Sequence, residues 1–315
     1  MKSTRWAGLG NSTPAWRDGD SEGALATGAD INLGPLNGHS VGRILKEAVR
    51  RAATVIRAER QTFEQHTKQG YGGSMDDVFT SADKTAQEVY LRTFRECFPG
   101  CGVLGEEDSL SIPASPPFTA YFTVDPIDGT RAFIRRQSHR ITTMVALVDG
   151  GEVISAYVGD ISSDQVYGHR PGSARVHRIS RLDTFETLDP GSARPTNAAD
   201  MVVLLRDPLT KYGQATSALV SRFKTYEVMG SSIGAWHARL WKGEVAALLQ
   251  PPAFETPWDS TPLIGIGRKL GFVWMRPQGD QWITYEPELP LVPTMRDHDV
   301  LVIHARCVAD GRLKL

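Results

Sequence analysis

The pattern of apolar and polar positions changes character along the chain. Residues 1–35 carry Trp6, Trp16 and scattered leucines among Gly, Ser, Asn and Asp without any apolar period, which predicts a flexible or loosely docked tail. From Ser40, a candidate N-cap, Val41, Ile44, Leu45, Ala48, Val49, Ala52, Val55 and Ile56 recur at the i, i+3, i+4, i+7 spacing of an amphipathic helix. A second helix is predicted after Thr80 and Ser81, with Ala86, Val89, Tyr90, Phe94 and Cys97 on one stripe and Pro99-Gly100 ending it.

The period then shortens. Val103-Leu104, residues 121–124, 141–148, 152–158 and 165–167 read as strands, with Gly150-Gly151 as a hairpin turn. After a Pro/Gly/Asn-rich stretch at 189–198 the chain alternates. A strand at 201–205, helices near 212–222 and 231–242, a strand at 245–249, a helix near 259–270 and strands at Phe272-Val273 and 300–303 follow in turn. This order predicts an α+β lobe over residues 36–190 and an α/β lobe over residues 191–315.

With 315 residues, 41% of them hydrophobic, the chain is long enough to bury a large core. Thirty-five Lys+Arg against 36 Asp+Glu leave a net charge of -1, so no global field draws the protein to a nucleic acid polymer or an anionic membrane, and a small-molecule partner is expected. The three cysteines are odd in number and lack a C-x-x-C pair, which argues against a disulfide framework and against a zinc site. No window approaches the ~18 apolar residues of a membrane helix and the N-terminus lacks the apolar core of a signal peptide, so a cytoplasmic protein is expected.

The chemistry concentrates in Asp125-Pro126-Ile127-Asp128-Gly129-Thr130, where an apolar strand runs into an acidic turn and then a helix. Two carboxylates so close repel unless a cation lies between them, and clustered carboxylate and carbonyl oxygens suit a hard divalent cation. Gly129 permits a tight turn, and the amides of Gly129 and Thr130 would open a helix toward an anion. Upstream, Glu106, Glu107 and Asp108 follow another short strand with no basic residue beside them, and downstream Asp259 follows Trp258 at a helix start. Taken singly, these acids fit an Asp-Pro turn, a solvated loop and an N-cap. Their combination favours one shared metal cluster.

Gly105-Glu106-Glu107, Asp125-Pro-Ile-Asp128-Gly-Thr130 and Trp258-Asp259, in this order and spacing, resemble the motifs of the inositol monophosphatase superfamily over residues 40–305. The resemblance implies a layered α-β-α-β-α sandwich, homodimerisation, two or three Mg2+ ions and inhibition by lithium. It also implies that Glu106, Asp125, Asp128, Asp259 and the Ile127 carbonyl ligate metal, with Glu107 orienting Glu106 or a water. Asp83, in Thr80-Ser81-Ala82-Asp83, would pair with Thr130 and help deprotonate the attacking water in an in-line hydrolysis without a phosphoenzyme. Substrate contacts are carried over to Gly129, Thr130 and Arg131, and to Gly234 and Ala235 in Ser231-Ser232-Ile233-Gly234-Ala235.

The match departs from the family at the substrate. Inositol phosphatases usually place a glutamate six residues before the tryptophan of the Trp-Asp pair, and Pro252 stands there in this chain, leaving Gln250 or Glu255 to take over. The cluster Arg131, Arg135, Arg136, His139 and Arg140 suits a second anionic group on the substrate. The expected activity is hydrolysis of an inositol monophosphate-like or other cyclitol, sugar or amino-alcohol phosphate. Because the Asp-Gly-Thr-Arg-Ala-Phe wording is shared with relatives acting on histidinol phosphate or nucleotide 3'-phosphates, either of those activities is the alternative within the family. A non-catalytic phosphometabolite-binding relative is the alternative outside enzymology. A haloacid-dehalogenase phosphatase would need its aspartates at i and i+2, and the Gly265-Ile266-Gly267 run has the wrong spacing for a dinucleotide loop.

Overall fold

The computed structural model describes residue 33, residues 35–192, residue 195 and residues 197–313. Apart from residues 33 and 35, the tail assigned to residues 1–35 lies outside the described residues.

Helix α1 (Gly38–Glu59) forms over the first apolar period and buries Val41, Leu45, Val49 and Ile56 along one stripe. It begins earlier than the sequence suggests, because Asn37 is the cap: its side chain accepts the Ser40 amide at 2.9 Å, leaving Ser40 inside the first turn. Strands β1 (Gln65–Lys68) and β2 (Asp77–Thr80) then pair as an antiparallel hairpin. Helix α2 (Ser81–Cys97) starts with a capping box, in which Thr80 and Asp83 exchange hydrogen bonds.

Strands β3 (Gly102–Gly105), β4 (Ser111–Ile112), β5 (Tyr121–Asp128), β6 (Thr142–Asp149), β7 (Glu152–Asp160), β8 (Gln165–His169), β9 (His177–Ile179) and β10 (Phe185–Thr187) form the first large sheet, with the short helix α3 (Thr130–Ile134) after β5. Its order is β10-β9-β8-β7-β6-β5-β3-β4, antiparallel throughout except where β3 runs parallel to β5. The second large sheet uses β11 (Val202–Leu205), β12 (Thr225–Val228), β13 (Ala247–Gln250) and further strands closer to the C-terminus, after helices α4 (Gln214–Val220) and α5 (Ile233–Lys242). Beyond β13 come β14 (Ala253–Glu255), helix α6 (Pro257–Lys269), β15 (Phe272–Gln278), β16 (Gln281–Tyr285), β17 (Thr294–Arg296), β18 (Val300–His304), β19 (Val308–Ala309) and β20 (Arg312–Leu313). The sheet order is β12-β11-β13-β18-β15-β16-β20-β19, and β14 pairs only with β17 among the described residues.

Which side chains share a core fixes the layers. Met144, Ala156 and Val158 of the first sheet, Trp236 and Leu240 of α5, Leu263 and Ile266 of α6, and Leu204, Leu248 and Val302 of the second sheet form one buried cluster. The α5/α6 layer is therefore sandwiched between the sheets. On the far side of the second sheet Val203, Leu205, Leu249 and Leu301 pack with Leu219 and Val220 of α4, so these strands alternate two apolar faces. Helices α1 and α2 cover the outer face of the first sheet, giving an α-β-α-β-α, α+β layered fold.

Gly265 and Gly267 allow the sandwiched helix to sit this close. A Cβ at Gly265 would meet Val153 Cγ1 at 2.4 Å, and one at Gly267 would meet the Trp274 ring at 2.7 Å. Among the described residues, no helix is long and apolar enough to cross a membrane.

Candidate metal centre

The acidic turn is made by an irregularity in β5. Against β6, Asp125 lies opposite Met144 and Asp128 opposite Thr142, so three steps along β5 match two along β6. Residues three apart in a regular strand face opposite sides; the extra residue returns both carboxylates to one side. Pro126, inside the irregular stretch, has no N–H to lose there. Gly129 then adopts φ 96°, and a Cβ on it would meet the Arg140 carbonyl oxygen at 2.4 Å, so the turn into α3 requires glycine.

Asp259, in the first turn of α6, completes the cluster: Asp125, Asp128 and Asp259 each bring one carboxylate oxygen within 4.8 Å of the others. They lie far apart in sequence, and two layers of the sandwich deliver them. Burial, followed by the charges of Glu106, Asp259 and Asp128, holds Asp125 well above the usual carboxylate range. Burial and then the charges of Asp128 and Glu106 push Asp259 up to about 7. Burial also raises Asp128, although its hydrogen bonds oppose the shift.

Those hydrogen bonds tie Asp128 to the start of α5. Its Oδ2 accepts from Thr142 Oγ1 at 2.6 Å, Ser232 Oγ at 2.6 Å and the Gly234 amide at 2.7 Å, and its Oδ1 accepts from the Ile233 amide at 2.9 Å. The helix N-terminus thus holds this carboxylate in place. The Ala235 amide is engaged by Ser232 Oγ at 3.0 Å. Gly234 has no room for a side chain, since a Cβ would meet Thr142 Oγ1 at 2.5 Å.

Glu106, outside the three converging acids, is raised by burial against the opposing charge of Lys68, and its own charge acts on Asp125. Lys68 corrects the expectation that no base accompanies these acids: its Nζ lies 3.0 Å from Glu106 Oε1 and 2.9 Å from Glu107 Oε1. It comes from β1, 38 residues upstream of Glu106, where no local pattern announces it. Burial works against its charge, yet the two glutamates hold its ammonium well above the ordinary lysine range. Glu107, pinned also through reciprocal backbone bonds with the Gln87 amide, is pushed up to about 8 by burial and by the Glu106 charge. Asp108 points elsewhere, pairing with Lys84 at the surface.

Asp83 and Thr130 meet. Thr130 Oγ1 lies 3.3 Å from Asp83 Oδ1 and 2.9 Å from the Ile127 carbonyl oxygen, while Asp83 Oδ2 accepts from the Thr80 amide and hydroxyl at 2.7 and 2.6 Å. Burial raises Asp83 to about 7 in spite of the Thr80 bonds. Arg131 is exposed and donates to the Asp76 carbonyl at 2.6 Å, and Arg135 and Arg136 are exposed too. Glu255 is engaged by Arg296, whose Nε lies 2.8 Å from its Oε1.

Besides Lys68, sequence reasoning missed Thr142 and Ser232. Ser232 lay inside the Ser-x-Gly pattern and could have been found as a cap; Thr142 is visible only through the β5–β6 register. A divalent cation fits these residues. The donors are all oxygen, three carboxylates share one space, and Asp125 Oδ1 is buried without a hydrogen-bond partner.

The profile of the Inositol monophosphatase family matches residues 38–309. The 3'(2'),5'-bisphosphate nucleotidase CysQ of Salmonella typhimurium is 30% identical over 176 residues, which span 54% of this chain and 68% of that protein. The Inositol-1-monophosphatase of Bacillus subtilis is 26% identical over 132 residues, 42% of this chain and 48% of its own length. In three dimensions the chain resembles the extragenic suppressor protein suhB of Bartonella henselae, with a TM-score of 0.65 at 18% identity over 84% of this chain and 93% of the other. It also resembles an IMPase/NADP phosphatase solved with Mg2+ and phosphate, with a TM-score of 0.64 at 16% identity over 88% and 98%.

Proposed function

Since this chain belongs to the inositol monophosphatase family, we propose that it is a Mg2+-dependent phosphomonoesterase acting on a small phosphorylated metabolite. The observation that carries this reading is the convergence of Asp125, Asp128 and Asp259 to within 4.8 Å, from a strand end and a distant helix start. With Glu106 and the Ile127 carbonyl, these are the residues that would hold Mg2+. When bound, the ions supply positive charge to a phosphoryl group and lower the pKa of a nearby water.

The chain's own residues do the rest. Asp83, pushed to about 7, is balanced near neutral pH to take a proton passed through the Thr130 hydroxyl. Lys68 offsets the charge of Glu106 and Glu107 and fixes both carboxylates. The amides of Gly129 and Thr130 open α3 without intrahelical acceptors and suit a phosphoryl oxygen, with Arg131 beside them. Gly234 and Ala235 adjoin the same space through Asp128 and Ser232. A cytoplasmic homodimer with two or three ions and lithium inhibition completes the reading. The CysQ alignment favours a second version of it, in which the ester is a nucleotide 3'-phosphate.

Phosphate release from a panel of inositol, sugar, histidinol and nucleoside monophosphates, with Mg2+ and with excess chelator, tests the proposal. Release that needs Mg2+ is expected; no release from any ester would leave a non-catalytic binding protein instead.

A further inference from the structure

Next to the carboxylates the surface turns apolar and aromatic. Trp258, buried beside Asp259 in sequence, faces the ring of Tyr71 at 6.3 Å between centroids, tilted 45°. Tyr71 in turn meets Phe254 at 5.9 Å and 46°. Phe254 pairs with Met295 across β14 and β17, which puts both side chains on one face. Tyr71, Phe254 and Met295 remain 43%, 38% and 53% exposed. An apolar wall left open beside a polar cluster is the composition of a ligand site.

Two further observations give the wall a role. The charges of Glu106 and Asp259 both act on the Tyr71 hydroxyl, so the near edge of the wall adjoins the carboxylate cluster. One of the two side chains expected to read hydroxyl groups on this side is already engaged. Pro252 occupies the position six residues before Trp258, and the Glu255 carboxylate is taken by Arg296, which is itself buried by bonds to the Pro251 and His298 carbonyls.

We propose that Tyr71, Phe254 and Met295 form the leaving-group subsite, and that it takes a planar aromatic ring carried by the alcohol of the phosphate ester. The inference rests on the phosphomonoesterase reading above. Tilted aromatic faces offer π-surface to such a ring, and Met295 offers a polarisable thioether at its edge. A cyclitol or a glycerol moiety has no flat face to lay against them.

The test compares a nucleoside 3'-monophosphate, inositol 1-phosphate and glycerol 2-phosphate, by kcat/KM with Mg2+ and by calorimetric binding, in the wild type and in Phe254→Ala, Phe254→Trp and Tyr71→Phe. The wild type is expected to prefer the nucleotide. Phe254→Ala should shrink that preference by about tenfold, mainly through KM, at an unchanged melting temperature. Phe254→Trp and Tyr71→Phe, which keep the rings, should retain it. No preference in the wild type, or a preference that survives Phe254→Ala, overturns the subsite. Calorimetric binding is measured independently of turnover, so the subsite is tested even if no ester is hydrolysed, a result that would sink the phosphomonoesterase reading alone.

Discussion

The acidic turn of residues 125–130 and the hairpin of residues 65–80 face the same space and are built in opposite ways. The turn is buried, carries like charges and is fixed from every side: by a register slip in β5, by Gly129 at φ 96° and by four hydrogen bonds from the β6 and α5 side onto Asp128. The hairpin is largely exposed and attaches through few groups, chiefly Lys68 on two glutamates and Tyr71 on Phe254 and Trp258. The first region crowds like charges, an arrangement that costs stability and that a bound cation would relieve. The second contributes one countercharge and one ring, and touches the scaffold mainly at its end, where Thr80 caps α2 and holds Asp83. Function is thus divided between a strained, rigid nest and a lightly held cover.

The largest effect should come from relieving the strain in the nest. Asp125→Asn removes the most crowded charge, so turnover should fall roughly a hundredfold or more, beyond the 10–100-fold typical of groups supporting metal ligands. The melting temperature of the metal-free protein should rise. A fall in both would mean that Asp125 stabilises the fold instead of straining it.

Acidity should act in the same direction. Burial raises Asp83 and Asp259 to about 7 and Glu107 to about 8, above their unfolded values. Their contribution to stability is therefore fully present below the unfolded carboxylate range near 4 and is lost as pH rises through 7 to 8. Chelator-treated protein should lose on the order of a few kcal/mol between pH 5 and 8.5 in urea unfolding, and Mg2+ should recover more of it at the higher pH. A flat profile would deny the repulsion.

Gly129→Ala probes the rigidity of the turn. It should cost on the order of 1–3 kcal/mol from the positive φ alone, with a further cost from contact with the Arg140 carbonyl. The smallest change is expected at the cover. Lys68→Ala should cost about 1 kcal/mol, because its side chain keeps 23% of its exposure, and its effect should shrink when Mg2+ supplies the missing charge. Equal losses with and without Mg2+ would make Lys68 a plain structural brace.

The same contrast explains what the sequence revealed. The α1 and α2 stripes, strands β3, β5, β6, β7 and β8 of the first sheet and the spacing of Asp125 and Asp128 follow short-range rules of period and charge, and the folded chain displays them with shifts of a few residues at the ends. The short strands β4, β9 and β10 carried too little pattern to be seen, and distant Asp259 joined the cluster only through the family motif. The hairpin was invisible because Gln65–Lys68 is polar and mostly exposed, Asp77–Thr80 offers only the adjacent pair Val78-Phe79, and the two are joined through Gly70, Gly72 and Gly73, with no apolar alternation to mark them. Lys68 therefore entered only through the fold. The bonds on Asp128 were equally hidden, since Thr142 and Ser232 reach it across a sheet register and a helix start.

Calorimetric titration of Mg2+ at pH 7, in buffers of different ionisation enthalpy, bears most directly on the proposal of a shared cation site. The wild type should bind Mg2+ with release of protons from the crowded carboxylates, and Asp259→Asn should weaken binding and release fewer protons. Binding that is absent in the wild type, or that is untouched by Asp259→Asn, would contradict it.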